Sequence, residues 1–428
     1  MTLFFAAFAV FLVIGVPIAL ALGLACVGLL WATGNMDLMA AFPQRMIAGI
    51  DQFVLLTIPL FVLAGTLMSS GGITDRIVRF SRALVGHVPG GLSLVNITAS
   101  LFFSGVSGSA TAEAAAIGSV LIPAMEKEGY PKNYAAALTA VASVMGPIIP
   151  PSIAMIVFGV LSGTSIAKLF LAGVVPGLLI AASLMCYAYW RARRNGYPVS
   201  ARFTWGERIG AFVQAAPAIA LPLIILGGIL SGVFTPTESA AVGVVYALVL
   251  SAFFYRSLSL ATLYRSLWET ALVTSGIMVV VAVASMISFV FSFDSIPQKV
   301  AAAMLGISDN KYILLLLINA VLLALGLFLE PISIMILTLP VLLPIVKSLG
   351  IDFVHFGMIV VLNVVIGLVT PPVGICLFIA SAISRVGLEE LSWTALPMIA
   401  ICIAVLGVVT FVPEVSLYLP GLFESPGK

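Results

Sequence analysis

Nine stretches of twenty or more residues run along this chain with almost no charge: 3–33, 52–72, 133–163, 168–190, 209–232, 236–255, 268–293, 354–384 and 391–413. About 20 apolar residues in a helix cross the hydrocarbon core of a bilayer, so each stretch is long enough to span one. Only 8% of the 428 residues are charged and 62% are hydrophobic. A water-facing globular surface carries about 25% charged residues, so this chain cannot cover itself with charge and its outer surface faces a lipid bilayer. The net charge of +2 points to no nucleic-acid partner, and no basic stripe with interleaved aromatics occurs. Stretch 3–33 lacks the basic start and short apolar core of a signal peptide, and reads as a retained spanning helix.

Two further apolar stretches, 91–126 and 312–346, are interrupted near their middles, by SGVSGSATAE around Ser104–Glu113 and by LEPIS around Leu329–Ser333. Each half is too short to cross at 1.5 Å per residue. The expected form is a re-entrant hairpin, two half-helices meeting at mid-membrane, where non-helical backbone survives only against protein or a water-filled cavity.

Basic residues set the expected orientation. With the arginine-rich loop Arg191, Arg193, Arg194, Arg202 and Arg208 in the cytoplasm, Arg76, Arg79, Arg82, Lys127, Lys132, Arg256, Arg265 and Arg385 also fall inside. Arg45, Lys168, Lys299, Lys311, Lys347 and Lys428 fall outside. Counting nine crossings gives a cytoplasmic N-terminus and a periplasmic C-terminus.

Shifting the chain by 221 residues lays Gly105 on Gly326, Pro123 on Pro344, Gly129 on Gly350, Gly146 on Gly367 and Pro150-Pro151 on Pro371-Pro372. The matches concentrate in Gly and Pro, the residues that dictate backbone shape. Two repeats follow. The first covers 1–205 with hairpin 91–126 and broken helix 133–163. The second covers 234–413 with hairpin 312–346 and broken helix 354–384. A connecting helix lies at 206–233 and a tail at 414–428. One extra crossing between the copies inverts the second, the pattern of alternating-access carriers whose site lies between repeats at mid-membrane. The fold class expected is an all-α polytopic membrane protein with two inverted-topology repeats and an elevator-type mechanism.

The paired strings GPIIPPS (146–152) and GLVTPPV (367–373) locate the chemistry. A double proline removes two amide donors and forces the helix to unwind. Freed carbonyls suit a small hard cation such as Na+, and the following half-helix presents an N-terminus that suits a carboxylate. Ser152 and Thr370 add hydroxyls. The first hairpin tip offers Ser104, Ser107, Ser109 and Thr111 with Gly105 and Gly108; packing by small residues is the bland alternative. Glu113 and Glu330 are carboxylates at the tips, costly at that depth. Either could ligate a cation or pair locally, and Glu113 could cap its half-helix. Glu238 in TPTES reads as a capping box. Asn96, Asn319 and Asn363 are expected to bond between helices. The cysteines Cys26, Cys186, Cys376 and Cys402 read as small buried apolar residues. Neither a phosphate-binding GxxxxGK[ST] loop nor a nucleophile triad, metal cluster or haem motif occurs, so the chain is not expected to be an enzyme.

The segments GVPIALALG (15–23), IPLFVLAG (58–65), GGLSLVNI (90–97), SGSATAEAAAIGSVLIPAMEKEGYP (107–131), GPIIPPS (146–152), GVFTPTESAAVG (232–243) and LVTPPVG (368–374) resemble the large membrane subunit of tripartite ATP-independent periplasmic (TRAP) transporters. The resemblance implies an inner-membrane elevator carrier driven by Na+, partnered by a separate small four-helix membrane subunit and a periplasmic substrate-binding protein. The substrate it implies is an organic acid such as a C4-dicarboxylate or sialic acid. It places one sodium site at Ser104, Ser107 and Gly108 with Gly146, Ile149 and Pro150. The other falls at Gly326 and Ser333 with Gly367, Thr370, Pro371 and Gly374. Substrate would lie between them at Ser109, Thr111, Ser152, Glu330 and Thr370. A stand-alone sodium–dicarboxylate symporter, the permease of an ATP-driven importer and a passive channel are the alternatives.

Overall fold

The computed structural model describes residues 2–200, 202–306, 308 and 310–423. Apart from short 3-10 and π turns the elements are all α-helices: α1 (Thr2–Val13), α2 (Ile18–Thr33), α3 (Phe42–Ile50), α4 (Thr57–Ser70), α5 (Ile73–Val85), α6 (Gly91–Ser107), α7 (Ala110–Lys127), α8 (Lys132–Ala142), α9 (Ile153–Ser162) and α10 (Ile166–Asn195). There follow α11 (Trp205–Leu230), α12 (Pro236–Val249), α13 (Leu260–Phe293), α14 (Ile296–Leu305), α15 (Lys311–Gly326), α16 (Pro331–Ser348), α17 (Phe353–Gly367), α18 (Ile375–Ser384), α19 (Leu388–Phe411) and α20 (Glu414–Leu422). Among the described residues, seven helices are long and apolar enough to cross a membrane. All five tryptophans, Trp31, Trp190, Trp205, Trp268 and Trp393, are exposed, as expected of rings that settle at a lipid–water boundary.

One expected span is corrected. Stretch 3–33 is two helices, because Gly15 turns with φ +86 and Pro17 lacks the amide that would continue the helix. Gly23 of α2 sits beside Met286 of α13. Phe4, at the start of α1, stacks edge-on with Phe291 at 5.1 Å. Residues 17–20 lie beside 276–280, near the middle of α13. The pair is therefore a hairpin whose tip reaches mid-length of α13 and whose two ends return to one face. The expected cytoplasmic N-terminus counts this stretch as one crossing; the two helices here are 12 and 16 residues long. Within the segment read as a tail, Glu414–Leu422 forms α20, packed against α10 and α17. Residues 424–428, Lys428 among them, lie outside the described residues.

The interrupted stretches fold as hairpins, α6–α7 and α15–α16, and the double-proline stretches as broken helices, α8–α9 and α17–α18. α7 and α16 are both 18 residues long and begin and end 221 residues apart. α8 and α17 begin at the same offset. The second half of each broken helix packs on the other copy's hairpin and broken helix: α18 against α7 and α8, α9 against α16 and α17. α15 meets α17 backbone to backbone, since a Cβ on Gly367 would lie 2.7 Å from the Cα of Gly326. The buried asparagines bond between helices as expected. Asn96 donates to Thr139 at 2.7 Å, Asn319 to Thr410 at 2.9 Å and Asn363 to Asn319 at 2.8 Å. Cys26, Cys376 and Cys402 are buried, whereas Cys186 is exposed.

α5 lies apart from this packing scheme. Its Ile73, Ile77, Phe80 and Ala83 are buried, while Arg79 and Asp75 face outward. That spacing of one apolar stripe against a charged face suits a helix lying along the membrane surface.

Candidate functional site

The tip of the α6–α7 hairpin is set by glycine. Gly108 closes α6 with φ +62, and a Cβ there would lie 2.5 Å from the Pro151 carbonyl oxygen, so the tip rests on the backbone of the first break. Ser109 caps α7, accepting from the Ala112 amide, and lies 3.1 Å from the Thr111 hydroxyl. Ser107 Oγ sits 3.5 Å from the Ser109 amide and carbonyl. One turn earlier, Ser104 Oγ lies 2.7 Å from the Ser100 carbonyl and 2.8 Å from Glu113 Oε2. Glu113 therefore does not cap its helix; its carboxylate turns inward, wholly buried.

The first break runs from a 3-10 turn at Ser143–Met145 to the start of α9. Gly146 faces the hairpin: a Cβ on it would come within 3.0 Å of the Ser109 carbonyl oxygen and 2.9 Å of Glu113 Oε2. Pro150 and Pro151 are buried and their peptide bond is cis. Ile149 is half-buried, its side chain against Gly177 of α10. Ser152 caps α9, accepting from Met155 at 3.2 Å and donating to the Pro147 carbonyl. Its hydroxyl is thus held by backbone.

The second tip and break are built alike but more openly. α15 ends at Gly326, Glu330 stands at the head of α16 with extended backbone, and Pro331 opens the helix. Glu330 is exposed, and its Oε1 accepts from the buried Ser333 hydroxyl at 3.1 Å. Gly367 ends α17, and Gly374 with φ +45 precedes α18, close to the Thr370 carbonyl. Thr370 donates to the Ile366 carbonyl at 2.7 Å. Pro371 is half-buried and Pro372 exposed, unlike the buried first pair.

Both tips open on one cavity of about 830 Å³. Gly108, Ser109, Thr111 and Glu330 line it, and with them the opening residues of four half-helices: Ala110 of α7, Ile153 and Ala154 of α9, Pro331 and Ile332 of α16, and Ile375 of α18. Ser152 and Thr370 stand outside that lining. Each helix start carries unpaired amides and a partial positive charge. Four such starts line one cavity, an arrangement that can hold an anion without a basic side chain, and none of the lining residues is Lys, Arg or His. The opposite wall is Pro17–Leu20 at the α1–α2 tip and the middle of α13, with Ser275 and Gly276. Sequence reasoning missed this wall, because a hairpin buried in one long apolar run leaves no polar signal.

Comparison with known proteins places residues 5–415 in the family described as tripartite ATP-independent periplasmic transporter, DctM component. The large permease protein SiaM of a Vibrio cholerae sialic acid TRAP transporter is 40% identical over 414 residues, which is 97% of this chain and 97% of SiaM. The isethionate TRAP transporter permease protein DctMQ of Oleidesulfovibrio alaskensis is 40% identical over 97% of this chain, which spans 66% of that longer protein. Among solved structures, the Alcanivorax borkumensis YdaH transporter superposes with a TM-score of 0.62 at 16% identity, over 91% of this chain and 90% of its own. That is a likeness of fold.

Proposed function

Because the chain belongs to the family of the DctM component of tripartite ATP-independent periplasmic transporters, we propose that it is the large permease of a Na+-coupled importer of a small organic acid. The observation that carries this reading is the cavity on which both hairpin tips and four half-helix N-termini converge. An anion there gains from each helix start roughly 0.3–1 kcal/mol, more where partly buried. The relatives named for sialic acid and isethionate handle anions, and a carboxylate or sulfonate suits the same cavity here. Ser109 and Thr111 donate to the substrate. Glu330 is a negative charge in an anion site, and a co-bound cation offsets it.

Na+ is the coupling ion, carried as cargo. Hard oxygen donors gather where the Ser107–Ser109 turn meets Gly146 and Pro151. A second set lies at Thr370, Gly374 and the Gly326–Gly367 contact. The two repeats are inverted copies. The matching bounds of α7 and α16 and the exchanged packing of α9 and α18 support this, and one odd crossing, α11, separates the copies. Hairpins and broken helices move together as an elevator past the wall of α1, α2 and α13. With the 191–208 loop in the cytoplasm, both ends of the α1–α2 hairpin and the C-terminal helix lie at the periplasmic face. A small membrane subunit and a periplasmic binding protein complete the importer; the longer DctMQ relative has length to spare for a fused small subunit.

The test is uptake by variants. Each of Ser109→Ala and Thr111→Ala removes one hydrogen bond of about 1 kcal/mol and lowers uptake several-fold with normal membrane insertion. Ser119→Ala, further along α7 and outside the lining, leaves uptake unchanged. Normal uptake by both tip variants removes the cavity from the reading.

A further inference from the structure

Glu113 is the one fully buried Asp, Glu, Lys or Arg among the described residues. It is 0% exposed, and its Oε1 has no hydrogen-bond partner among the described residues. Ser100 Oγ, one turn before Ser104 on α6, is also buried without a partner and stands beside the carboxylate. Gly146 lies against Oε2, the oxygen Ser104 bonds, and Cys376 of α18, itself beside Ser143, is close enough to interact with the carboxylate. The cations on the packed helices, Arg82 of α5 and Lys132 of α8, are paired with Glu128 and Glu126 at the other end of α7. No Lys, Arg or His is bonded to Glu113 among the described residues.

A charged carboxylate in a buried site has to be balanced by a cation or by a proton. One hydroxyl, Ser104, lies 2.8 Å from Oε2, and a second, Ser100, stands beside the carboxylate without completing a hydrogen bond to Oε1. Hydroxyl and carboxylate oxygens are the donor set of a small hard cation, and a single positive charge balances the site. The carboxylate touches Ser104 on the hairpin, while Gly146 on the break is held within its reach. A charge held there would fasten the tip that carries Ser109 and Thr111.

We infer that Glu113 is the positioning residue of the first coupling-cation site: its carboxylate, with Ser100, supplies the negative charge that holds Na+ behind the tip of the α6–α7 hairpin. This rests on the reading of that hairpin as part of the transport site. Glu113→Gln keeps the size and removes the charge, and Glu113→Asp keeps the charge on a shorter stem.

The experiment follows the melting temperature of the purified full-length chain as NaCl is titrated against choline chloride, alongside uptake. The expected result is that Glu113→Gln raises the half-saturating Na+ at least tenfold in both readouts. At saturating Na+ the substrate KM stays as in the unaltered chain, and Glu113→Asp recovers part of the Na+ affinity. Ser100→Ala, a milder change, raises the half-saturating Na+ several-fold and serves if Glu113→Gln does not insert. An unchanged Na+ midpoint in Glu113→Gln, or in Ser100→Ala where the first variant fails, overturns the inference and leaves a neutral carboxyl with a packing role. Absence of Na+ stabilisation in the unaltered chain instead counts against sodium coupling itself, so the two failures are distinguishable.

Discussion

Gly146 has no room for a side chain, and the reason is chemical as much as steric. A methyl there meets Glu113 Oε2 at 2.9 Å and the Ser109 carbonyl oxygen at 3.0 Å, so it pushes the hairpin tip off the break. Overpacking of this kind costs about 1–3 kcal/mol. Gly146→Ala should therefore lower the melting temperature and cut uptake more than tenfold. Gly227→Ala, within α11 and with no heavy atom within 4 Å of the added carbon, should leave both unchanged or raise stability slightly. Equal effects from the two would show that the tip does not need its contact with the break. At this scale the sequence is only partly legible. Ser109, Thr111 and Glu330 stand out in sequence as hydroxyls and a carboxylate within apolar stretches, and all three line one cavity. Ser152 and Thr370 looked the same in sequence, yet their hydroxyls bond to the Pro147 and Ile366 carbonyls; nothing in a residue's name says which way it turns. Glu113 shows the opposite case: an acid in a helix's first turn ordinarily serves the helix end, yet its carboxylate turns inward to Ser104.

Helix breaks follow the same logic one level up. The interruptions at 143–152 and 368–374 were legible because paired prolines and flanking glycines forbid continuous helix. The offset of 221 residues could be found because those same residue types recur. The break at Gly15–Pro17 carries the same signal, but its flanks are so evenly apolar that hydropathy is satisfied by one helix or by two. The consequence is topological and testable. In a chain whose four cysteines are replaced by alanine, single cysteines introduced at Thr2 and at Asn35 should react with an impermeant thiol reagent from the same face of oriented vesicles. Labelling from opposite faces would restore one crossing and move the N-terminus to the other side.

At the scale of the molecule, the two hairpin tips and the two breaks are brought to one place. Hairpin tips and breaks meet around a cavity closed on its far side by the α1–α2 tip and α13, whose 34 residues reach about 51 Å at 1.5 Å per residue, well beyond the roughly 30 Å hydrocarbon core. Much of the rest of the surface exposes large apolar side chains, the five tryptophans among them. On the proposed reading, a small anion is carried by shifting one body of helices past another rather than by opening a pore. Its most direct test is uptake of an organic acid into proteoliposomes holding this chain with its small membrane subunit, given the matching binding protein, an inward Na+ gradient and no ATP. The account predicts accumulation only when all three proteins and Na+ are present. Accumulation by this chain alone, or only when an ATPase and ATP are supplied, would contradict it.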